Sequence, residues 1–239
     1  MRMKFKPWAR QELETSPFYI DNPEDYKNNW KDTFENKLNP LMLELGCGKG
    51  YFVAQIAKEN PNTNYIAIDL VDAMLGMAKR NVEASFGIRK STDKEEIENE
   101  IEKQKIIKNV KLTRYDISRI SNIFGEDDKI ERIYINFCNP WPRGKHHKKR
   151  LTHERQLEQY KVFLKGDIYF KTDDDDLFES SLLSFKNSGY EIKKVTYDLA
   201  SEKEFWNGEA NIETEHEKMF KSQGIKIKAL IAAPIVKKK

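Results

Sequence analysis

The stretch Leu41-Met42-Leu43-Glu44-Leu45-Gly46-Cys47-Gly48-Lys49-Gly50 decides how this chain is read. Leu41–Leu45 is a short apolar run with the length of a buried strand, and it stops at a glycine. Beyond the glycines, Lys49–Glu59 carries Phe52 and Ile56 at helical spacing and closes on Asn60-Pro61. A strand therefore turns into a helix through a glycine loop. Such a loop can take positive φ and lets a ligand approach the backbone with no Cβ in the way. Its G-x-G-x-G spacing is not the G-x-G-x-x-G dinucleotide fingerprint, and it lacks the Gly-Lys-Ser/Thr of a P-loop.

The same rhythm continues outward. Tyr65–Ile68 reads as a second strand ending at Asp69, and a helix carrying Met74, Leu75 and Ala78 starts from Asp72. Val110–Tyr115 is a third strand closing on Asp116, and Ile130–Phe137 a fourth. Helix Glu154–Leu164, strand Ile168–Lys171, helix Leu177–Asn187 and strands Tyr190–Tyr197 and Lys226–Ala233 follow. Strands that alternate with helices predict β-α-β units and a parallel sheet covered on both faces. The charge-crowded stretch Arg89–Lys108 interrupts the pattern. Its Ile97 and Ile101 share a helical face, which predicts an amphipathic surface helix inserted between β-α units. The expected organisation is one α/β domain over 1–239, with an N-terminal extension over 1–40 and the charged helical insertion over 89–108.

Composition narrows the class. A chain of 239 residues buries roughly 70% of its unfolded surface, so it needs no disulfide scaffold, and Cys47 and Cys138 could not build one. The N-terminus is basic but has no apolar run like that of a signal peptide, and no stretch approaches the ~20 apolar residues of a membrane span. The expectation is a cytoplasmic protein with no membrane partner.

The chemistry gathers at the ends of the strands. Glu44 would repel a pyrophosphate but can receive a cationic amino-acid group, Asp69 can accept from two ribose hydroxyls, and Asp116 stands where an adenine is expected. A glycine loop framed by acids in this way resembles class I S-adenosylmethionine-dependent methyltransferases. After the fourth strand comes Asn136-Phe137-Cys138-Asn139-Pro140-Trp141-Pro142, whose prolines hold Asn139 and Trp141 in place. Next, Arg143–Arg155 holds six Lys/Arg against one Glu, a local +5 in a chain whose net charge is +3. A run of one sign beside a loop of this kind is a phosphate footprint. His146, His147 and His153 have no carboxylate or thiolate at ligand spacing, so no metal is expected.

These residues, with the opening Met-Arg-Met-Lys-x-Lys-Pro-Trp-Ala, Asn22-Pro-x-Asp25-Tyr-Lys, Lys171-Thr172-Asp173 and Asn211-Ile-x-Thr214-Glu215-x-Glu217, run in one order along nearly the whole chain. In that order they resemble the bacterial tRNA (guanine-N7-)-methyltransferase family, which modifies guanosine 46. The resemblance implies a doubly wound, mostly parallel seven-stranded Rossmann-like sheet with helices on both faces. It implies S-adenosyl-L-methionine held by Glu44, Gly46, Gly48, Gly50, Asp69, Asp116 and Asn139, with Asn139 at the family's catalytic Asp position. Lys145, His146, His147, Lys148, Lys149 and Arg150 would contact tRNA; Arg143, Asp173, Thr214, Glu215, His216 and Glu217 would bind the guanosine. The protein would act as a monomer or homodimer.

Asn139 replaces the family's Asp, Arg143 replaces its Lys, and the insertion over 89–108 is not typical. Read without the family, Thr214-x-x-Glu217 is a helix capping box and Asp173–Asp176 an acidic first helical turn. Two other readings stand beside the first. Asn139-Pro-Trp-Pro is similar to the Asn-Pro-Pro-aromatic motif of amino-group methyltransferases, and a non-catalytic RNA-binding relative could keep both loop and basic run.

Overall fold

The computed structural model describes residues 5–88 and 102–235. The expected insertion falls largely on residues 89–101, outside the described residues. The strands are β1 (Tyr19–Ile20), β2 (Leu41–Leu45), β3 (Asn64–Asp69), β4 (Val110–Arg114), β5 (Ile130–Asn136), β6 (Leu164–Thr172), β7 (Tyr190–Thr196) and β8 (Lys228–Pro234). The helices are α1 (Pro7–Glu14), α2 (Tyr51–Glu59), α3 (Asp72–Ser85), α4 (Glu154–Tyr160), α5 (Asp175–Asn187) and α6 (Glu215–Ser222).

The strands form one sheet in the order β1-β4-β3-β2-β5-β6-β8-β7. All pairings are parallel except those of β8, which runs antiparallel to both β6 and β7. The order reverses between β2 and β5, and in doubly wound sheets a ligand crevice opens at such a reversal, outside the carboxyl ends of the strands. The central strands read as unbroken apolar runs because both of their faces are covered. Leu43, Leu45, Ile66, Ile68, Ile133 and Phe170 pack into one layer, while Tyr65, Ala67, Leu112, Tyr134 and Ile231 pack into the other. Alternation with a period of two along each strand divides them.

Two elements of the N-terminal extension left no periodic signal. β1 adds an eighth strand to the expected seven, held at the edge by the Leu112 N–H on the Phe18 carbonyl (2.8 Å). A two-residue strand is too short to show alternation. Helix α1 starts at Pro7 and lies on α3 at Gly76, where a Cβ would stand 2.7 Å from that of Ala9. Arg80 of α3 clamps it, with its guanidinium 3.4 Å from the Trp8 ring centroid and forked on Glu12 (2.8 and 2.6 Å). Arg80→Ala should cost about 1–2 kcal/mol in urea unfolding, because a stacked and forked cation is lost together. Lys105→Ala, at an ion pair whose side chains are 62% and 66% exposed, should cost under about 0.5 kcal/mol. Equal losses would show that the clamp contributes nothing beyond surface charge.

Helix α4 stops at Tyr160, short of the expected Leu164. Phe163 and Leu164 are instead drawn into the sheet, where the Phe163 carbonyl accepts from Ile130 N–H (2.8 Å) and Leu164 pairs with Ile130.

Candidate functional site

A cleft of about 750 Å³ opens at the carboxyl ends of the strands. Its floor is the loop between β2 and α2, tied down by Gly46 and Cys47 N–H groups that both donate to the Ile68 carbonyl (2.9 Å each). Gly48 has φ +55° and open space where a Cβ would stand, so a ligand can reach its backbone. Gly50 has another task. A Cβ there would sit 2.6 Å from that of Ala78, so this glycine lets α2 approach α3, and it does not line the cleft.

Glu44 is 4% exposed at the end of β2. Its Oε1 accepts from Asn136 Nδ2 (3.3 Å), whereas Oε2 is buried without a partner. Burial pushes its carboxyl up to about 8, against the opposing pull of the Asn136 hydrogen bond and the Lys171 charge. The folded chain therefore disfavours the carboxylate, and its ionisation costs stability as pH rises through about 8. A bound cation would offset that cost. Asp69 accepts from Gly48 N–H (2.9 Å) and Val71 N–H (3.0 Å), and burial raises its carboxyl too. Asp116 lines the cleft from the end of β4 and accepts from Ser118 N–H (2.9 Å).

The loop after β5 forms the next wall. Phe137 (φ +51°) and Trp141 (φ +45°) occupy the left-handed region, a strained state for residues with side chains. Two hydrogen bonds hold them: Phe137 N–H to the Lys171 carbonyl (2.9 Å), and Trp141 N–H to Asn139 Oδ1 (3.0 Å). Cys138 on this loop and Cys47 on the glycine loop are buried thiols; burial pushes Cys138 up to about 12 and Cys47 well above its ordinary value. Both are unreactive packing groups at neutral pH.

Beyond the loop the basic run makes a 3₁₀ turn over Gly144–Lys149. Lys148, Lys149 and Arg155 line the cleft mouth, with the Lys149 ammonium 4.8 Å from the Trp141 ring centroid. Lys145 and Arg143 are exposed outside the cleft, and His146 packs edge-on against Trp141 at 5.8 Å. His147 is half-buried, with its Nε2 enclosed and unpartnered. Arg150 departs from its expected role. It is 4% exposed and turned inward, donating to the Pro140 carbonyl (2.7 Å) and Ser180 Oγ (2.6 Å), so it braces the loop and cannot meet a phosphate.

The last wall is the start of α6. Thr214, Glu215 and His216 line the cleft; Glu215 pairs with Lys49 of the glycine loop (2.7 Å), and His216 stacks on Phe137 (6.1 Å, 22°). Thr214 caps the helix by accepting from Glu217 N–H (3.1 Å). The Glu217 carboxylate points away from solvent to Lys171 (2.7 Å) and Asn211 (2.6 Å). Glu217 is fully buried and off the cleft, so the expected direct contact with substrate gives way to a structural one. Asp173 is half-buried outside the cleft lining; its carbonyl accepts from Lys228 Nζ (2.9 Å), and Asp174 supplies the cap of α5.

Sequence reasoning missed Lys49 in the cleft lining and Lys171 behind the α6 wall; Arg155 stood within the basic run but was not singled out. A signal for Lys171 was present, because a lysine between Phe170 and Thr172 interrupts a strand buried on both faces. His153 caps α4 by accepting from Arg155 N–H at Nδ1 (3.2 Å). Among the described residues no three His, Cys, Asp or Glu come together to hold a metal, and no helix is long and apolar enough to cross a membrane.

Comparison with known proteins identifies the fold and the family. Residues 38–230 match a family model described as "Putative methyltransferase". The fold is shared with the 16S rRNA methyltransferase KamB (TM-score 0.51, 13% identity, 96% of this chain and 94% of that one). It is shared also with precorrin-6y C5,15-methyltransferase from Geobacter metallireducens (TM-score 0.50, 12% identity, 85% of each chain). This is the class I methyltransferase architecture. The tRNA (guanine-N(7)-)-methyltransferase of Clostridium beijerinckii is 55% identical over 97% of this chain and 98% of its own. That of Clostridium botulinum Eklund 17B is 53% identical over the same shares. With its acid-framed glycine loop, strained Asn-Pro-Trp-Pro wall and near-complete overlap with these relatives, the chain belongs to the tRNA (guanine-N7-)-methyltransferase family.

Proposed function

We propose that this enzyme transfers a methyl group from S-adenosyl-L-methionine to N7 of guanosine 46 in the variable loop of tRNA. The observation that carries the reading is one cleft with two electrostatic characters. Glu44, Asp69 and Asp116 make its interior acidic, and Lys148, Lys149 and Arg155 make its mouth basic. The residues fit the cofactor: the unpartnered Glu44 Oε2 suits an ammonium group, and the open face of Gly48 leaves room beside the backbone. Glu44 would hold the cationic amino-acid end, Asp69 the ribose and Asp116 the adenine. Bound there, the cofactor supplies an electrophilic methyl on a sulfonium.

Guanine N7 has an in-plane lone pair and no proton, so no general base is required. The chain's contribution is orientation, an effect that can supply about 7–11 kcal/mol. Asn139 serves it by fixing Trp141 through Oδ1, and the family's Asp has the same acceptor. What position 139 supplies is thus an oxygen for the Trp141 N–H, which explains how Asn can replace Asp. The Glu215 carboxylate on the α6 wall, shared with Lys49, would offset part of the charge as the methylated purine becomes cationic. Lys148, Lys149 and Arg155 would meet tRNA phosphates, with Lys145 and Arg143 extending that surface outside the cleft. Such an enzyme works in the cytoplasm, where its substrate is.

The test is tritium transfer from labelled cofactor to unmodified tRNA, with and without guanosine 46, followed by nucleoside digestion. Incorporation as 7-methylguanosine, lost without guanosine 46, is expected. Label in N6-methyladenosine, or none with cofactor bound, would overturn the proposal. Lys148→Ala and Lys149→Ala should each reduce the slope of log affinity for tRNA against log salt by about 1. Arg150→Ala should instead lower stability and leave that slope unchanged.

A further inference from the structure

A lysine inside a buried strand asks for an explanation, since desolvating its charge is costly. The Lys171 side chain is 2% exposed, and its partner Glu217 is 0% exposed. The ammonium donates to Glu217 Oε2 (2.7 Å), the Ile212 carbonyl (2.9 Å) and Asn211 Oδ1 (3.1 Å), so all three of its protons are used. Asn211 completes the ring by donating to Glu217 Oε1 (2.6 Å). The Lys171 carbonyl accepts from Phe137 N–H, and so Lys171 anchors two walls of the cleft at once.

A second buried carboxylate lies in its field. Asn136, the register neighbour of Lys171 on β5, donates to Glu44 Oε1 (3.3 Å), and the other Glu44 oxygen has no partner. One cation thus touches the buried Glu217 and lies in register with Asn136, which holds Glu44, whose charge it favours at longer range. A purely structural ion pair would need only the first.

We propose that Lys171 is a positioning residue for both ligands of the site: through Glu217 and Asn211 it fixes the wall that faces the base, and from its place beside Asn136 it favours the charged form of Glu44 that receives the cofactor's ammonium group. The proposal rests on the reading of Glu44 as the acid that receives this group. The groups that bear on the charge of Glu44 are Lys171 on β6, Asn136 on β5, Asp69 on β3, Cys47 on the glycine loop and the Val53 backbone on α2. Burial and Asp69 favour its neutral form; Asn136, Lys171 and the Val53 N–H favour its charge. Glu217 competes with Glu44 for the same lysine.

Opposite variants should therefore act in opposite directions. Burial pushes the Lys171 ammonium down and Glu217 opposes that, so in Glu217→Gln the ammonium is held by the glutamine oxygen, the Ile212 carbonyl and Asn211 Oδ1, and while it is held the competing charge is gone. The pH at which affinity for S-adenosyl-L-methionine rises, followed by calorimetry, should move down by about half a unit to one unit. Lys171→Met/Glu217→Gln removes the cation without leaving Glu217 charged, and it should move that pH up. The ligand's own ammonium titrates identically in every sample and cancels. Shifts of the same sign, or none, would overturn the proposal. Glu44→Gln separates the two readings: affinity equal to the parent's would reject Glu44 as the cofactor's acid, whereas lost affinity with unshifted variants would reject the role of Lys171 alone.

Discussion

Replacing Lys171 with methionine should destabilise the protein by about 3–5 kcal/mol, because it leaves Glu217 charged in the core with no cation beside it. Melting should fall by roughly 10 °C, since a domain of this size loses about 2–4 °C per kcal/mol. The pair is desolvated on both sides, so solvent cannot take over the role of the lysine. The Lys171→Met/Glu217→Gln variant should recover most of the loss. It removes both charges while keeping the shapes, and neutral replacements of buried ion pairs are often nearly neutral in energy. Urea unfolding of the ligand-free protein measures both. A loss under about 1 kcal/mol for Lys171→Met would mean that water reaches the pair, as at a surface bridge.

Asn139→Ala should lower kcat/KM for tRNA by about 100-fold, the size expected when a reacting group is misplaced by about 1 Å. Oδ1 of Asn139 holds the Trp141 N–H while Trp141 sits at φ +45°, a conformation that needs external support. Without that acceptor, Trp141 relaxes and carries with it the wall that Lys149 covers. Asn139 is exposed, so melting should scarcely change. Asn139→Asp should stay close to the parent rate because its carboxylate offers the same acceptor. Steady-state kinetics at saturating cofactor decide the matter. If Asn139→Ala kept full activity, the loop would be held by its prolines alone; if Asn139→Asp raised the rate steeply, charge rather than the hydrogen bond would be what position 139 supplies.

Much of the site was legible because strand ends are local features. The apolar runs Leu41–Leu45, Asn64–Asp69 and Val110–Arg114 end beside acids, and parallel strands present their carboxyl ends on one side. Glu44, Asp69 and Asp116 were thereby bound to share a cleft. The basic run was legible as charge but not as direction. In a 3₁₀ turn each residue swings about 120° from the last, so neighbours face different surroundings. Lys148 and Lys149 reach the cleft, whereas Arg150, just past the turn, is buried against Pro140 and Ser180. The pattern Thr214-x-x-Glu217 was half right as a cap, since the side chain of its glutamate is claimed by Lys171 of β6.

The sequence by itself determined the alternation of strands and helices, the glycine loop with its acids and the stiff Asn-Pro-Trp-Pro wall. Each of these follows from backbone preference and apolar period over a few neighbouring residues. Only the tertiary structure decided the Lys171–Glu217 pairing, the Lys49–Glu215 bridge and the clamp of α1 by Arg80, whose members are 46, 166 and 68 positions apart for Arg80 with Glu12. For Lys171 and Glu217 the physical reason is that a buried charge is tolerable only where the fold brings an opposite charge to it; the other two pairs join elements that only the fold sets side by side. No local pattern records which distant residue that will be.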